Sequence, residues 1–284
     1  MLNLNMFYDE EEYILSLAYV PEQIPKLMSF LSGGKPALLN KKYLYLRGKD
    51  WIIFIGYPLD KNFDIMDLER SIKEVLEKFK PETLWLITNE TLISLKQNFI
   101  KIEDDYYYQL DLKNLDINKR LIKVVEKVSD KLKVLVEKNY TKQHKELIAQ
   151  FLKNRELSEN VRKLYLSLPE YVKKSETTYF LSSYTKDGKL TAYYIIEMQA
   201  KEFSAYLLGC RSEINYVSYS SDLLMYELIK ISQKEGKDYI NLGIGVNEGI
   251  RRFKEKWGGI PFLRYQTYKY SKKFNFLDYF LINP

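Results

Sequence analysis

The sequence predicts an α/β (α+β) fold in two similar halves, residues 1–117 and 118–284, each a mixed, largely antiparallel twisted sheet flanked by helices. Three observations carry this prediction. Short apolar runs at period two alternate along the chain with longer ones at the helical period. The order hairpin, helix, strand occurs twice, although no residue-level repeat links the copies. Finally, 46% of the 284 residues are hydrophobic, enough to bury a sizeable core and too many for a disordered chain.

Residues 1–30 are mixed, with Pro21 and Pro25 framing a short segment and Ile24, Leu27, Met28 and Leu31 at helical spacing. Ser32-Gly33-Gly34-Lys35-Pro36 predicts a plain turn, since it lacks the spacing and the Gly-Lys-Ser/Thr ending of a phosphate loop. Residues 42–47 and 51–57 read as strands about the turn Gly48-Lys49-Asp50. Residues 64–79 follow as a helix, with Ile65, Leu68, Ile72, Val75, Leu76 and Phe79 on one face and Pro81 as its stop. Strands at 83–88 and 106–112 close the first half.

The second half opens with helices at 118–130 and 141–154 on either side of a strand at 131–137, where Leu132, Val134 and Val136 alternate. A helix over 158–172 is expected to bend or break near Pro169. Strands at 178–185 and 190–198 flank Lys186-Asp187-Gly188-Lys189, a strong hairpin signal, and 203–209 extends the meander. Residues 222–235 form a helix, with Leu224, Leu228 and Ile231 on one face and Gly236 as its stop. Strands at 239–243 and 261–270 complete the set.

Between those last two strands lies the stretch that organises the chain. Gly243 and Gly245 free the backbone where the strand gives way to a loop, Asn247 is a natural N-cap beside Glu248, and Gly258-Gly259 ends the helix before Pro261. On that helix Ile250, Phe253 and Trp257 form an apolar stripe, and Lys254 lies roughly 65° from its centre. The ammonium of Lys254 either snorkels over Ile250 and Trp257 to water or is held at the rim of the core, where it suits a developing negative charge.

Gly243-Ile244-Gly245 followed by Arg252-Phe253-Lys254-Glu255-Lys256-Trp257-Gly258-Gly259, after a helix ending at Gly236 and a strand, resembles the C-terminal signature of the FemAB-like branch of the GNAT superfamily. That branch includes peptidoglycan aminoacyl-tRNA ligases and acyl-CoA-type relatives in polysaccharide metabolism. The likeness is clearest from Thr178 to Tyr270. It implies tandem GNAT domains, with 118–172 as connector and opening helices of the second, and a charge-stabilising role for Lys254. It also implies that a donor pyrophosphate would sit at the start of the Asp222 helix, on a glycine-rich turn. Here that run is Tyr216-Val217-Ser218-Tyr219-Ser220-Ser221-Asp222, with no glycine and an added carboxylate. Ser218, Ser220 and Ser221 remain as hydrogen-bond donors; alternatively Ser221 or Asp222 is only a helix cap.

A second departure from the family pattern is Asn241, where relatives commonly carry an acid. An amide fixes geometry but takes no proton at neutral pH. Glu197 is therefore the candidate base and Tyr219 the candidate acid, each with a structural role as its alternative. Arg251 and Arg252 are candidate anion ligands, and Arg251 has Glu255 four residues on as a surface ion-pair partner.

The chain carries a net charge of +6, which favours anionic partners such as CoA phosphates, tRNA or an acidic envelope surface. Acidic residues interrupt nearly every lysine cluster, so no DNA-binding run is expected. Cys210 is the only cysteine, which excludes an intrachain disulfide and reads as a small buried hydrophobe. His144 is the only histidine and reads as a solvated helix residue; no Ser-His-Asp or Cys-His apparatus and no metal site are expected. No apolar run approaches ~18 residues, so neither a signal peptide nor a membrane span is expected and the cytoplasm is the default. Heavy use of Tyr, Lys, Glu, Ile and Leu suits a thermophilic source.

Two functions follow. The first is an acyl- or aminoacyl-transferase that moves a group from acyl-CoA or aminoacyl-tRNA to an amine of an envelope precursor, sugar or small metabolite, with no permanently bound cofactor. The second is a catalytically inactive tandem GNAT-fold binding or scaffold protein.

Overall fold

The computed structural model describes residues 8–272. The chain forms two compact units. The first takes the chain up to Tyr107, Ile244–Val246 and the chain from Pro261 onward; the second takes Tyr108–Gly243 and Asn247–Ile260.

The first unit contains α1 (Tyr8–Leu17), α2 (Pro25–Ser32), β1 (Lys35–Leu39), β2 (Tyr43–Arg47), β3 (Trp51–Gly56), α3 (Ile65–Phe79), β4 (Thr83–Thr88) and most of β5 (Phe99–Asp111). β2 and β3 form the expected hairpin, and α3 carries the chain across to β4, which runs parallel to β3 from Trp51↔Thr83 to Gly56↔Thr88. α3 forms where its pattern requires. Asp64 caps the Met66 and Asp67 amides, Leu68, Ile72 and Val75 are buried, and Lys80 turns left-handed because Pro81 bars the residue before it from helix.

The second unit contains the end of β5, α4 (Lys119–Ser129), β6 (Leu132–Glu137), α5 (Lys142–Lys153), α6 (Glu159–Lys174), β7 (Thr178–Thr185), β8 (Leu190–Glu197), β9 (Phe203–Arg211), α7 (Ser220–Lys234), β10 (Tyr239–Ile244) and α8 (Glu248–Lys256). Its strands lie in the order β10-β9-β8-β7-β6, antiparallel from β6 to β9 and parallel between β9 and β10. Leu121, Val125, Leu181, Ile196, Leu224, Leu228, Ile240, Leu242 and Trp257 share one core.

The structure departs from the sequence reading in several places. The final strand, β11 (Ile260–Ser271), runs antiparallel to β4 from Gln266↔Thr88 to Ser271↔Thr83, so its residues from Pro261 belong to the first unit. The main division falls at 107/108, where the reading put 117/118. β5 begins seven residues before the expected Tyr106, through the charged run Lys101, Glu103, Asp104 and Asp105. α6 runs unbroken through Pro169 to Lys174. Helix α1 and strand β1 were not anticipated.

His144 is a correction. It is fully buried, not solvated, with Nδ1 on Thr141 Oγ1 at 2.8 Å and Nε2 on Ser182 Oγ at 3.0 Å, and its ring packs on Phe180 and Tyr193. Burial holds its pKa down to about 4. Cys210 is buried as expected, and burial pushes its thiol up to about 12. Among the described residues no helix is long and apolar enough to cross a membrane, and no cluster of metal-ligating side chains occurs.

Candidate active site

The candidate site lies in the second unit, where two parallel strands part. β10 pairs with β9 at Tyr239↔Phe203, Ile240↔Ser204 and Asn241↔Ala205, and there the ladder ends although β9 continues to Arg211. Opposite β8 the register shifts between Ile195↔Leu208 and Ile196↔Tyr206, leaving Leu207 as an extra residue. Such a bulge bends a strand and re-aims its side chains. Asn241 Oδ1 accepts from the Gly243 amide at 2.9 Å, and Gly243 takes a left-handed φ of 72°, so β10 turns away just beyond its last pair.

Lys254 meets this turn. Its side chain is 3% exposed, its ammonium donates to the Gly243 carbonyl at 3.0 Å, and it lies 5.4 Å from the Tyr108 ring centroid. Tyr108 in turn directs its hydroxyl toward Glu255, at 3.5 Å. The apolar stripe is therefore displaced from the expected one. Ile250 is exposed, whereas Lys254 is the buried residue of α8 and Trp257 is buried just beyond its end. A buried ammonium needs hydrogen bonds and counter-dipoles, and the Gly243 carbonyl and the Tyr108 π-face supply both.

α8 is anchored through its C-terminal end. Trp257 Nε1 donates to Asp222 Oδ1 at 2.9 Å, and the Lys256 ammonium pairs with the same oxygen. Asp222 sits in the first turn of α7, where its charge also opposes the positive helix end. Around that end, Ser218 and Tyr219 are exposed, Ser221 accepts a 2.7 Å bond from Tyr194 at its carbonyl, and the Ser220 hydroxyl is buried with no partner. Tyr194 packs edge-on against Tyr206, and burial raises both phenols above their ordinary range. Asn241 is fully buried and its Nδ2 has no partner either. Buried polar atoms left unpaired are exceptional, and bound ligand or water ordinarily accounts for them.

Not every candidate gathers here. Glu197 lies at the end of β8, its row aligned through Ala205 with Asn241, two residues short of Gly243. Its carboxylate accepts from Thr178 Oγ1 and from the Met198 and Gln199 amides, so it caps a strand end. Arg252 pairs with Glu248 on the exposed side of α8, and Arg251 is exposed beside it. The reading missed Tyr108, Tyr194 and Tyr206. Their alternation marked strands, but nothing local distinguished the Tyr108 ring beside Lys254, or the Tyr194–Tyr206 pair, from rings that only fill the core.

No protein-family model matches the chain, and no curated protein matches it. Solved structures do. L-PGS from Bacillus licheniformis, a lysylphosphatidylglycerol synthetase, shares 15% identity over 99% of this chain and 97% of its own, with a TM-score of 0.59. FemX shares 11% identity over 91% and 94%, with a TM-score of 0.60. A tandem GNAT protein from the clavulanic acid biosynthesis pathway shares 11% identity over 82% and 80%, with a TM-score of 0.50. The fold is that of these solved structures, FemX and the tandem GNAT protein among them.

Proposed function

We propose that the protein is an aminoacyltransferase that moves an aminoacyl group from an RNA ester to an amine of an envelope precursor or a related small acceptor. One observation carries this reading: a buried ammonium, Lys254, is fixed on the turned-out carbonyl of Gly243 at the point where β10 leaves β9. Attack of an amine on an ester needs no covalent enzyme intermediate. It needs two reactants held together, a proton acceptor, and positive charge where the carbonyl oxygen becomes anionic. Lys254 supplies that charge without having to reorganise. Burial of the ammonium against the Tyr108 ring gives it surroundings of low dielectric, which strengthens it.

Two features favour an RNA ester over acyl-CoA as donor. Asp222 places a carboxylate at the helix end where a pyrophosphate would bind, and Lys256 and Trp257 already engage it. The residue before α7 is Tyr219, and the run from Tyr216 to Asp222 holds no glycine to bring the backbone amides close to a pyrophosphate. The L-PGS and FemX likenesses support aminoacyl transfer in the same sense. The buried Ser220 Oγ and Asn241 Nδ2 are the groups we assign to donor or acceptor hydrogen bonds.

The test is transfer by the purified chain from charged tRNA or acyl-CoA to a panel of amines, with Lys254→Ala alongside. Loss of one oxyanion contact costs ~10²–10³-fold in rate. A folded Lys254→Ala protein with full activity removes Lys254 from the chemistry. Absence of transfer from any donor favours the scaffold reading, to which the self-paired Asp222 end of α7 would then belong.

A further inference from the structure

The loop between β9 and α7 exposes aromatic and apolar side chains to water. Tyr216 is 52% exposed, Tyr219 46% and Ile214 76%. A cation lies over each ring: the Arg211 guanidinium is 5.0 Å from the Tyr216 centroid, and the Lys256 ammonium is 6.0 Å from that of Tyr219. Tyr219 also occupies the N-cap of α7 with a φ of 65° and makes no capping bond. A serine or asparagine would suit that position better on local grounds, and a bulky residue kept in a left-handed conformation points to a role for its ring.

Beside this loop an open cavity of about 700 Å³ is lined by residues 153–158 and Arg162. The two are tied together, since Asn154 Nδ2 donates to Glu213 Oε2 at 3.1 Å. Lys153, Arg155 and Arg162 line the cavity and are exposed, against one carboxylate, Glu156. The cations are positioned rather than loose: Arg162 donates to the Leu152 carbonyl at 2.8 Å, and Arg155 lies 4.6 Å from the Phe151 ring centroid.

The β9–α7 loop thus carries exposed aromatic rings and is joined at Glu213 to a basic pocket. A duplex keeps its bases paired inside and would leave the rings unstacked, whereas a single strand offers both a planar base and a phosphate at every step. We propose that this loop and pocket bind a short single-stranded RNA segment, with bases stacked on Tyr216 and Tyr219 and phosphates held by Lys153, Arg155 and Arg162. Identification of that segment with the 3′ end of the aminoacyl donor rests on the transferase reading. The binding itself does not.

The experiment is fluorescence anisotropy of a short labelled single-stranded RNA against the full chain across a salt series. Tyr216→Ala and Tyr219→Ala should each weaken binding roughly 5- to 100-fold without changing the salt slope. The double variant Arg155→Gln/Arg162→Gln should lower the slope of log K against log salt by about 1.4, the sum of two single-strand phosphate contacts. The proposal is overturned if the wild type binds no RNA, if the variants bind like wild type, or if a duplex of equal length binds as tightly as the single strand. The two readings fail separately. RNA binding with undiminished transfer by Lys254→Ala sinks only the catalytic assignment, and transfer from acyl-CoA without RNA binding sinks only this one.

Discussion

Trp257 donates its indole N–H to the Asp222 carboxylate at 2.9 Å, and this bond ties the end of α8 to the start of α7. A helix of nine residues is marginal alone, so α8 depends on that anchor and on burial of the indole. Lys254 shares the anchored turn, since its carbonyl accepts from the Trp257 and Gly259 amides.

Removing the anchor should therefore destabilise the protein. Asp222→Ala leaves a buried indole N–H unpaired and is expected to lower unfolding free energy by about 1–3 kcal/mol in urea titrations. Asp222→Asn keeps an acceptor for Trp257 and loses only the pair with Lys256, a half-exposed lysine whose ion pair contributes under about 1 kcal/mol. Equal losses in the two variants would show that the indole bond carries nothing.

Gly243 offers a test of geometry. A Cβ there would lie 4.0 Å from the Lys254 ammonium, and its φ of 72° strains any L side chain by about 1–2 kcal/mol. Gly258→Ala is the matched control, with a φ of 90° and nearest neighbours at Leu110 and the Asp116 carbonyl. Both variants should lose similar stability in thermal melts, but only Gly243→Ala should lose transfer beyond what its unfolded fraction explains. Parallel activity in the two would detach the Gly243 carbonyl from the function of Lys254.

The buried His144 makes stability depend on pH. Its folded pKa, about 4, lies below the unfolded 6.5, so the unfolded chain binds the extra proton between these values. The sign is fixed: stability is complete above about pH 6.5 and falls as pH drops toward 4, by up to about 2 kcal/mol at pH 5. The groups against the ring, Tyr193 and through it Cys210, titrate far above this window. His144→Gln should flatten the melting temperature between pH 7 and 5 relative to wild type. An unchanged slope in the variant would assign the effect elsewhere.

How far the sequence could be read follows from which forces act locally. Helix α3 and the hairpin of β7 and β8 were legible because caps, turns and periodicity lie within a few residues of what they control. Strand β5 was legible only in its tyrosine-rich end, because Lys101, Glu103, Asp104 and Asp105 have poor strand preference and are held by pairing with remote strands. His144 looked solvated between Gln143 and Lys145 because its partner, Ser182, lies 38 residues away. At the site, the helical wheel put Lys254 at the edge of the apolar stripe, yet the residue buries more fully than Ile250. The cause is the Gly243 carbonyl, a backbone acceptor that no side-chain pattern records.

Glu197 can be tested directly as a general base against a purely structural cap. Its oxygens are engaged by the Thr178 hydroxyl at the start of β7 and by the amides of Met198 and Gln199 just beyond β8, so it caps the end of β8. A glutamine keeps the acceptor oxygen but presents an NH₂ group to donors, leaving at least one buried donor unpaired. Glu197→Gln is therefore expected to cost about 1–3 kcal/mol of stability. If the carboxylate acts only as a cap, kcat at saturating acceptor should stay within a few-fold of wild type below the melting transition and the acidic limb of the pH–rate profile should be unmoved. A base in the reaction would behave otherwise, with kcat falling on the order of 10²–10⁴-fold and that limb lost. The second outcome would return proton abstraction to Glu197, and the first would assign it to the acceptor's own solvent or to another group near Lys254.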